Sequence, residues 1–149
     1  MLRLIVVLSL VSLALSLPER RIVGGQEAVA GQFPYQVSLR NRNTGAHFCG
    51  GFIINERWIG SSYRCTFFRQ PTETILVIAG AVRLSTDGTI HQAIRTIFHP
   101  EYRADGFGTY ENDLSLVQIE DNFTFSDRVA PIALGNSWVG GGVNGVLAG

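Results

Sequence analysis

The chain has 149 residues, a length that fits one domain able to bury its own core, and its twelve arginines balance twelve acidic residues with no lysine. A charge this low and this even leaves no clustered basic footprint, which argues against a nucleic-acid partner. The two cysteines and the three scattered histidines, His47, His91 and His99, lack the spacing of a tetrahedral zinc site, so neither metal nor cofactor is expected.

At the amino terminus, Arg3 precedes an apolar run from Leu4 to Leu17, broken only by serines and followed by Pro18. The run is short for a bilayer span, and Ala14-Leu15-Ser16 gives the small-x-small pattern of a signal-peptidase site. A membrane anchor or a buried helix is the alternative; the basic start and small-residue exit favour a secretory signal over residues 1–16. The expected location is therefore extracellular, with no membrane association once the signal is gone. Without residues 1–21 the chain keeps nine arginines against eleven acidic residues and is slightly acidic.

Export changes what the cysteines mean. In an oxidising compartment Cys49 and Cys65 are expected to form a disulfide. Closing that loop would stabilise the fold by about 3 kcal/mol through chain entropy.

Past the signal the pattern is one of short strands and tight turns. Tyr35 to Arg40 alternates, with Val37 and Leu39 on one face and Gln36, Ser38 and Arg40 on the other. Asn43-Thr44-Gly45 is a turn, and His47 to Ile54 reads as the returning strand, where Gly50 and Gly51 mark a bend or a close backbone approach. Further strands are expected at Ile75 to Ala79, Ala81 to Leu84, Thr89 to Phe98 and Leu114 to Ile119. No segment after Ser16 has amphipathic helical periodicity, so the class is all-β, a barrel or a sandwich. The stretch after Gly135 reads either as a flexible tail or, from Val143 to Ala148, as the opening of one more strand.

Ordered motifs then give a specific resemblance. Arg21-Ile22-Val23-Gly24-Gly25 is similar to the activation site of trypsin-like and chymotrypsin-like serine proteases, and Gln32 to Leu39 resembles the segment after it. Cys49 to Ile59, CGGFIINERWI, resembles the family's next block. Asn112 to Val117 resembles the motif holding the catalytic aspartate, here Asp113, and Pro131 to Leu134 the exit from the first barrel. The resemblance runs from Ile22 to Gly149. It implies a six-stranded antiparallel first barrel, with the second barrel missing beyond its first strand. It divides the chain into a signal peptide at 1–16, a short propeptide at 17–21 and a partial protease domain at 22–149. It also implies protein or peptide substrates, and an activating protease that cuts after Arg21 to free Ile22.

Two departures separate this chain from the family's chemistry. The family's Gly-Asp-Ser-Gly-Gly nucleophile motif does not occur in it, nor does the aspartate that would receive the freed amino group of Ile22; Ser61, Ser62, Ser115 and Ser137 lie in other contexts. Where the family has Thr-Ala-Ala-His-Cys, the chain reads Ser61-Ser62-Tyr63-Arg64-Cys65, so Arg64 stands at the position of the general base. A guanidinium keeps its proton to about pH 12 and has no lone pair to offer, so it cannot relay a proton near neutrality. Arg64 either pairs with Asp113 or extends along the surface to solvent.

His47 is expected to be structural or to support the site from behind, while His99, Pro100 and Tyr102 look like scaffold. Asn122-Phe123-Thr124 matches the N-glycosylation acceptor pattern. Three functional readings follow: a secreted family member without peptidase activity, an incomplete piece of a longer active digestive-type protease, and an inactive binding or decoy module. The barrel face that would meet a second barrel is expected to be exposed, and with it comes a tendency to associate.

Overall fold

The computed structural model describes residues 25–85 and 88–148. The signal, the propeptide and the Arg21–Ile22 bond lie outside the described residues. Six strands close into an antiparallel barrel: β1 (Gln36–Asn41), β2 (His47–Ile53), β3 (Trp58–Ser61), β4 (Ile75–Ala79), β5 (Thr89–Phe98) and, after two short strands, β8 (Ser115–Ile119). The order around the barrel is β1-β2-β3-β8-β5-β4, with β4 pairing back onto β1. Arg103–Ala104 (β6) and Tyr110–Glu111 (β7) form a separate two-stranded ladder in the connection from β5 to β8.

Alternation builds the core. Val37 and Leu39 of β1, Ile53 of β2, Ile59 of β3, Val77 and Ala79 of β4, Ala93 of β5, and Val117 and Ile119 of β8 point inward and are buried. Closure leaves no unpaired edge among these strands, so the barrel satisfies its own ladder. Bulges shift the register between Leu39 and Arg40 and between Ala93 and Arg95, where each strand bends to complete the closure.

The close approach expected at Gly50-Gly51 is present. A Cβ on Gly51 would lie 2.8 Å from the carbonyl oxygen of Gly60 on β3 and 3.2 Å from Val37 Cγ2, so only glycine lets the backbones come this near. The disulfide joins Cys49 on β2 to Cys65, with Cα atoms 6.0 Å apart.

The elements differ from expectation at several places, among them the short strands β6 and β7 and the 3-10 turn at Thr72–Thr74, which the sequence did not announce. Ala81–Leu84 is not a strand: Gly80 takes φ +77° and turns the chain away from the ladder, so no neighbour pairs with it. Val143 to Ala148 carries no ladder among the described residues, so of its two readings the strand is not the one taken. A strand at Trp58–Ser61 was not foreseen, since Gly60 interrupts any alternating signal. A five-residue helix, α1 (Tyr63–Phe67), follows it, too short to show a helical period.

Candidate active site

Arg64 and Asp113 meet at the top of the barrel because two local structures aim them at each other. Ser62 caps α1, its hydroxyl accepting the amide of Cys65 at 3.2 Å, and sets the direction of the turn carrying Arg64. On the other side Asn112 adopts φ +53°, and the Leu114 amide donates to the Asn112 carbonyl at 2.7 Å. That tight turn presents the Asp113 carboxylate to the helix. The Ser115 hydroxyl donates to the Ser62 carbonyl at 3.0 Å and accepts from Thr66 at 2.9 Å, tying the start of β8 to α1.

The contact itself has two prongs. Arg64 Nε donates to Asp113 Oδ2 at 2.8 Å, and the Arg64 amide donates to Oδ1 at 3.0 Å. The guanidinium carbon also sits 3.7 Å from the centre of the Tyr110 ring, a cation–π contact supplied by β7. Arg64 is half exposed, whereas the Asp113 side chain is only 16% exposed. Of the two sequence alternatives for Arg64, the side chain takes the pairing and not the extension into solvent.

Electrostatics follow from this geometry. Burial works to raise the Asp113 carboxyl, but the amide and guanidinium of Arg64 and the amide of Tyr63 outweigh it and hold the group below the ordinary carboxylate value. The hydrogen bond to Asp113 raises Arg64 further above its usual value, so it remains a cation. Chemically the pair is a charge-assisted clasp in which both carboxylate oxygens accept from Arg64.

The remaining polar candidates serve the scaffold. Ser61 is buried and donates to the Gly50 carbonyl at 2.9 Å. His47 Nδ1 lies 2.9 Å from Ser38 Oγ on the adjacent strand. His99 takes the Glu101 amide at 3.2 Å within the loop that leads to β6. Ser137 lies exposed in the terminal segment. Among the described residues no group of His, Cys, Asp and Glu gathers as a metal site, and no helix is long and apolar enough to cross a membrane.

Sequence reasoning missed the aromatic wall beside the clasp. Tyr63 stacks on Tyr102 with centroids 3.8 Å apart and touches Phe67 and Phe98, each at 5.0 Å. Tyr110 reaches Arg64 from β7, remote in sequence, and no local signal announces such a contact.

The family model described as Trypsin matches residues 22–146. The chain belongs to the trypsin family. Among curated proteins it is 37% identical over 132 residues to serine protease SP24D of Anopheles gambiae, covering 87% of this chain and 46% of the relative. It is 35% identical over 119 residues to coagulation factor IX of Oryctolagus cuniculus, covering 78% and 41%. The chain thus spans less than half the length of these relatives. Among solved structures, mouse neuropsin superposes with a TM-score of 0.65 at 24% identity, over 76% of this chain and 48% of that one, a likeness of fold.

Proposed function

We propose that this is an exported member of the trypsin family that carries out no peptide hydrolysis, because Arg64 holds the place of the general base and is bound to the aspartate that would orient such a base. The observation that supports this most directly is the two-pronged contact between Arg64 and Asp113, at 2.8 and 3.0 Å. In the serine triad the base must take the hydroxyl proton and later return it to the leaving group. Guanidinium does neither at neutral pH. Asp113 is then the retained triad position, with nothing for it to orient.

On this reading an activating protease still cuts after Arg21 to expose Ile22, and protein or peptide substrates are implied by the family alone. Residues 1–16 would direct export. The domain runs from residue 22 onward.

The decisive assay is cleavage after Arg21 followed by incubation with peptide amide and ester substrates and with a serine-directed phosphonate. Turnover at the level of a boiled control, with no covalent labelling, is expected. Turnover above that control together with labelling would reject the reading.

A second reading is favoured by the length match, since the chain spans 46% of the SP24D protease: it is a piece of a longer protease. Arg64 would silence that longer protein too. Loss of the base from a serine triad costs on the order of 10⁶ in kcat. Changing Arg64→His in a chain that includes a family nucleophile is expected to raise kcat by several orders of magnitude, and an unmodified longer chain with full activity would refute the assignment of Arg64.

A further inference from the structure

The acceptor pattern at Asn122-Phe123-Thr124 plays no part in the Arg64–Asp113 site. It lies where the chain leaves β8, and the fold holds the middle of the tripeptide firmly while turning its two chemically relevant residues outward. Phe123 is 4% exposed and sits in the barrel core, and its amide donates to the Glu56 carbonyl at 2.8 Å. Its ring meets the buried His91 ring edge-to-face with centroids 4.6 Å apart. His91 Nδ1 lies 3.0 Å from Asp121 Oδ1, immediately before the tripeptide. Arg57 Nη2 donates to the Glu120 carbonyl at 2.9 Å, anchoring the residue ahead of that.

With Phe123 turned in, Asn122 and Thr124 both face solvent and are exposed. This is the arrangement of an extended segment, in which residues two apart share a face. An oligosaccharide on Asn122 would therefore project into water with no core residue displaced. Asp113 precedes β8 and Asn122 follows it, so the five residues of the strand, at about 3.3 Å each, lie between the two.

We propose that Asn122 carries an N-linked oligosaccharide. The modification condenses the Asn122 carboxamide nitrogen with the anomeric carbon of a lipid-linked oligosaccharide donor, releasing the lipid pyrophosphate and one proton, while the Thr124 hydroxyl completes acceptor recognition. The proposal rests on the export reading, because the donor and its transferase act in the secretory lumen.

The test separates the two readings. The chain is produced in a eukaryotic secretory host behind a leader that carries any passenger into the lumen, and in parallel behind its own residues 1–16. A reporter substitution, Trp138→Thr, places a second acceptor at Asn136 in the exposed terminal segment. Peptide-N-glycosidase is expected to collapse a slower-migrating band and convert Asn122 to aspartate in the tryptic peptide. Asn122→Gln and Thr124→Ala should abolish the Asn122 product, while Thr124→Ser should keep it. Unmodified Asn122 in a molecule whose Asn136 is glycosylated would overturn the proposal. Glycosylation of Asn122 behind the supplied leader, but not behind residues 1–16, would uphold the site and refute the export reading.

Discussion

The Arg64 guanidinium and the Asp113 carboxylate are joined by a 2.8 Å Nε–Oδ2 hydrogen bond, and the second carboxylate oxygen is held at 3.0 Å by the amide of the same arginine. One residue thus engages both oxygens, so the aspartate is satisfied without a histidine.

Removing the carboxylate charge should be costly. Asp113→Asn loses charge-assisted acceptors at a site mostly shielded from water, and a loss of about 1–3 kcal/mol is expected at pH 7. Urea denaturation of both proteins at matched pH measures it, and unchanged midpoints would show that the carboxylate is solvated.

The same group sets an acid-side dependence. Asp113 is held below its ordinary value in the fold, whereas in the unfolded chain it titrates near 3.9. Its contribution is therefore fully present above the unfolded value and is lost as pH falls through the folded one. Stability of the wild-type chain should fall relative to Asp113→Asn over that acid window. Parallel pH profiles of the two proteins would contradict the depressed value.

Much of the barrel was readable from the chain, for reasons visible in particular strands. β4 and β5 have the bounds expected, Ile75–Ala79 and Thr89–Phe98, because each is a β-branched or alternating run closed by Gly, Pro or a polar turn. β3 was missed because the Gly60 that admits the Gly51 backbone also erases the alternation. The pairing of Arg64 with Asp113 was one of two alternatives the sequence left open, and the structure takes it. The contact of Arg64 with Tyr110 was not legible, since the two residues stand 46 positions apart in sequence and are brought together only by barrel closure and the β6–β7 ladder.

Placing an imidazole at position 64 gives a probe of the neighbourhood. In Arg64→His the ring would face Asp113, and a carboxylate at hydrogen-bond distance raises an imidazole above its ordinary value near 6.5. The charged ring then adds stability below the unfolded value, and this is lost as pH rises through the folded one. NMR titration reads the shift directly; a value at or below 6.5 would place Asp113 elsewhere.

The disulfide spans a sequence separation of 16, and opening it with Cys49→Ser and Cys65→Ser together should cost about 3 kcal/mol. Thermal melts compare the two forms. A double variant as stable as wild type would mean that the open chain retains the same constraint.

Exposed apolar side chains in the terminal segment carry a further expectation. Trp138 is 93% exposed, and Val146 and Leu147 are 80% and 78% exposed. The chain should associate with itself, rising in apparent mass with concentration during light scattering. A monomer with a sharp, cooperative melt would contradict this.

The clasp between Arg64 and Asp113 is most directly tested by the NMR signal of the Arg64 Nε–H. Held on Asp113, this proton should exchange slowly with water and resonate away from the other arginines, and Asp113→Asn should abolish both properties. A signal that exchanges as freely as an exposed arginine and is unmoved by Asp113→Asn would contradict the claim that Arg64 occupies the place of the base by binding its aspartate.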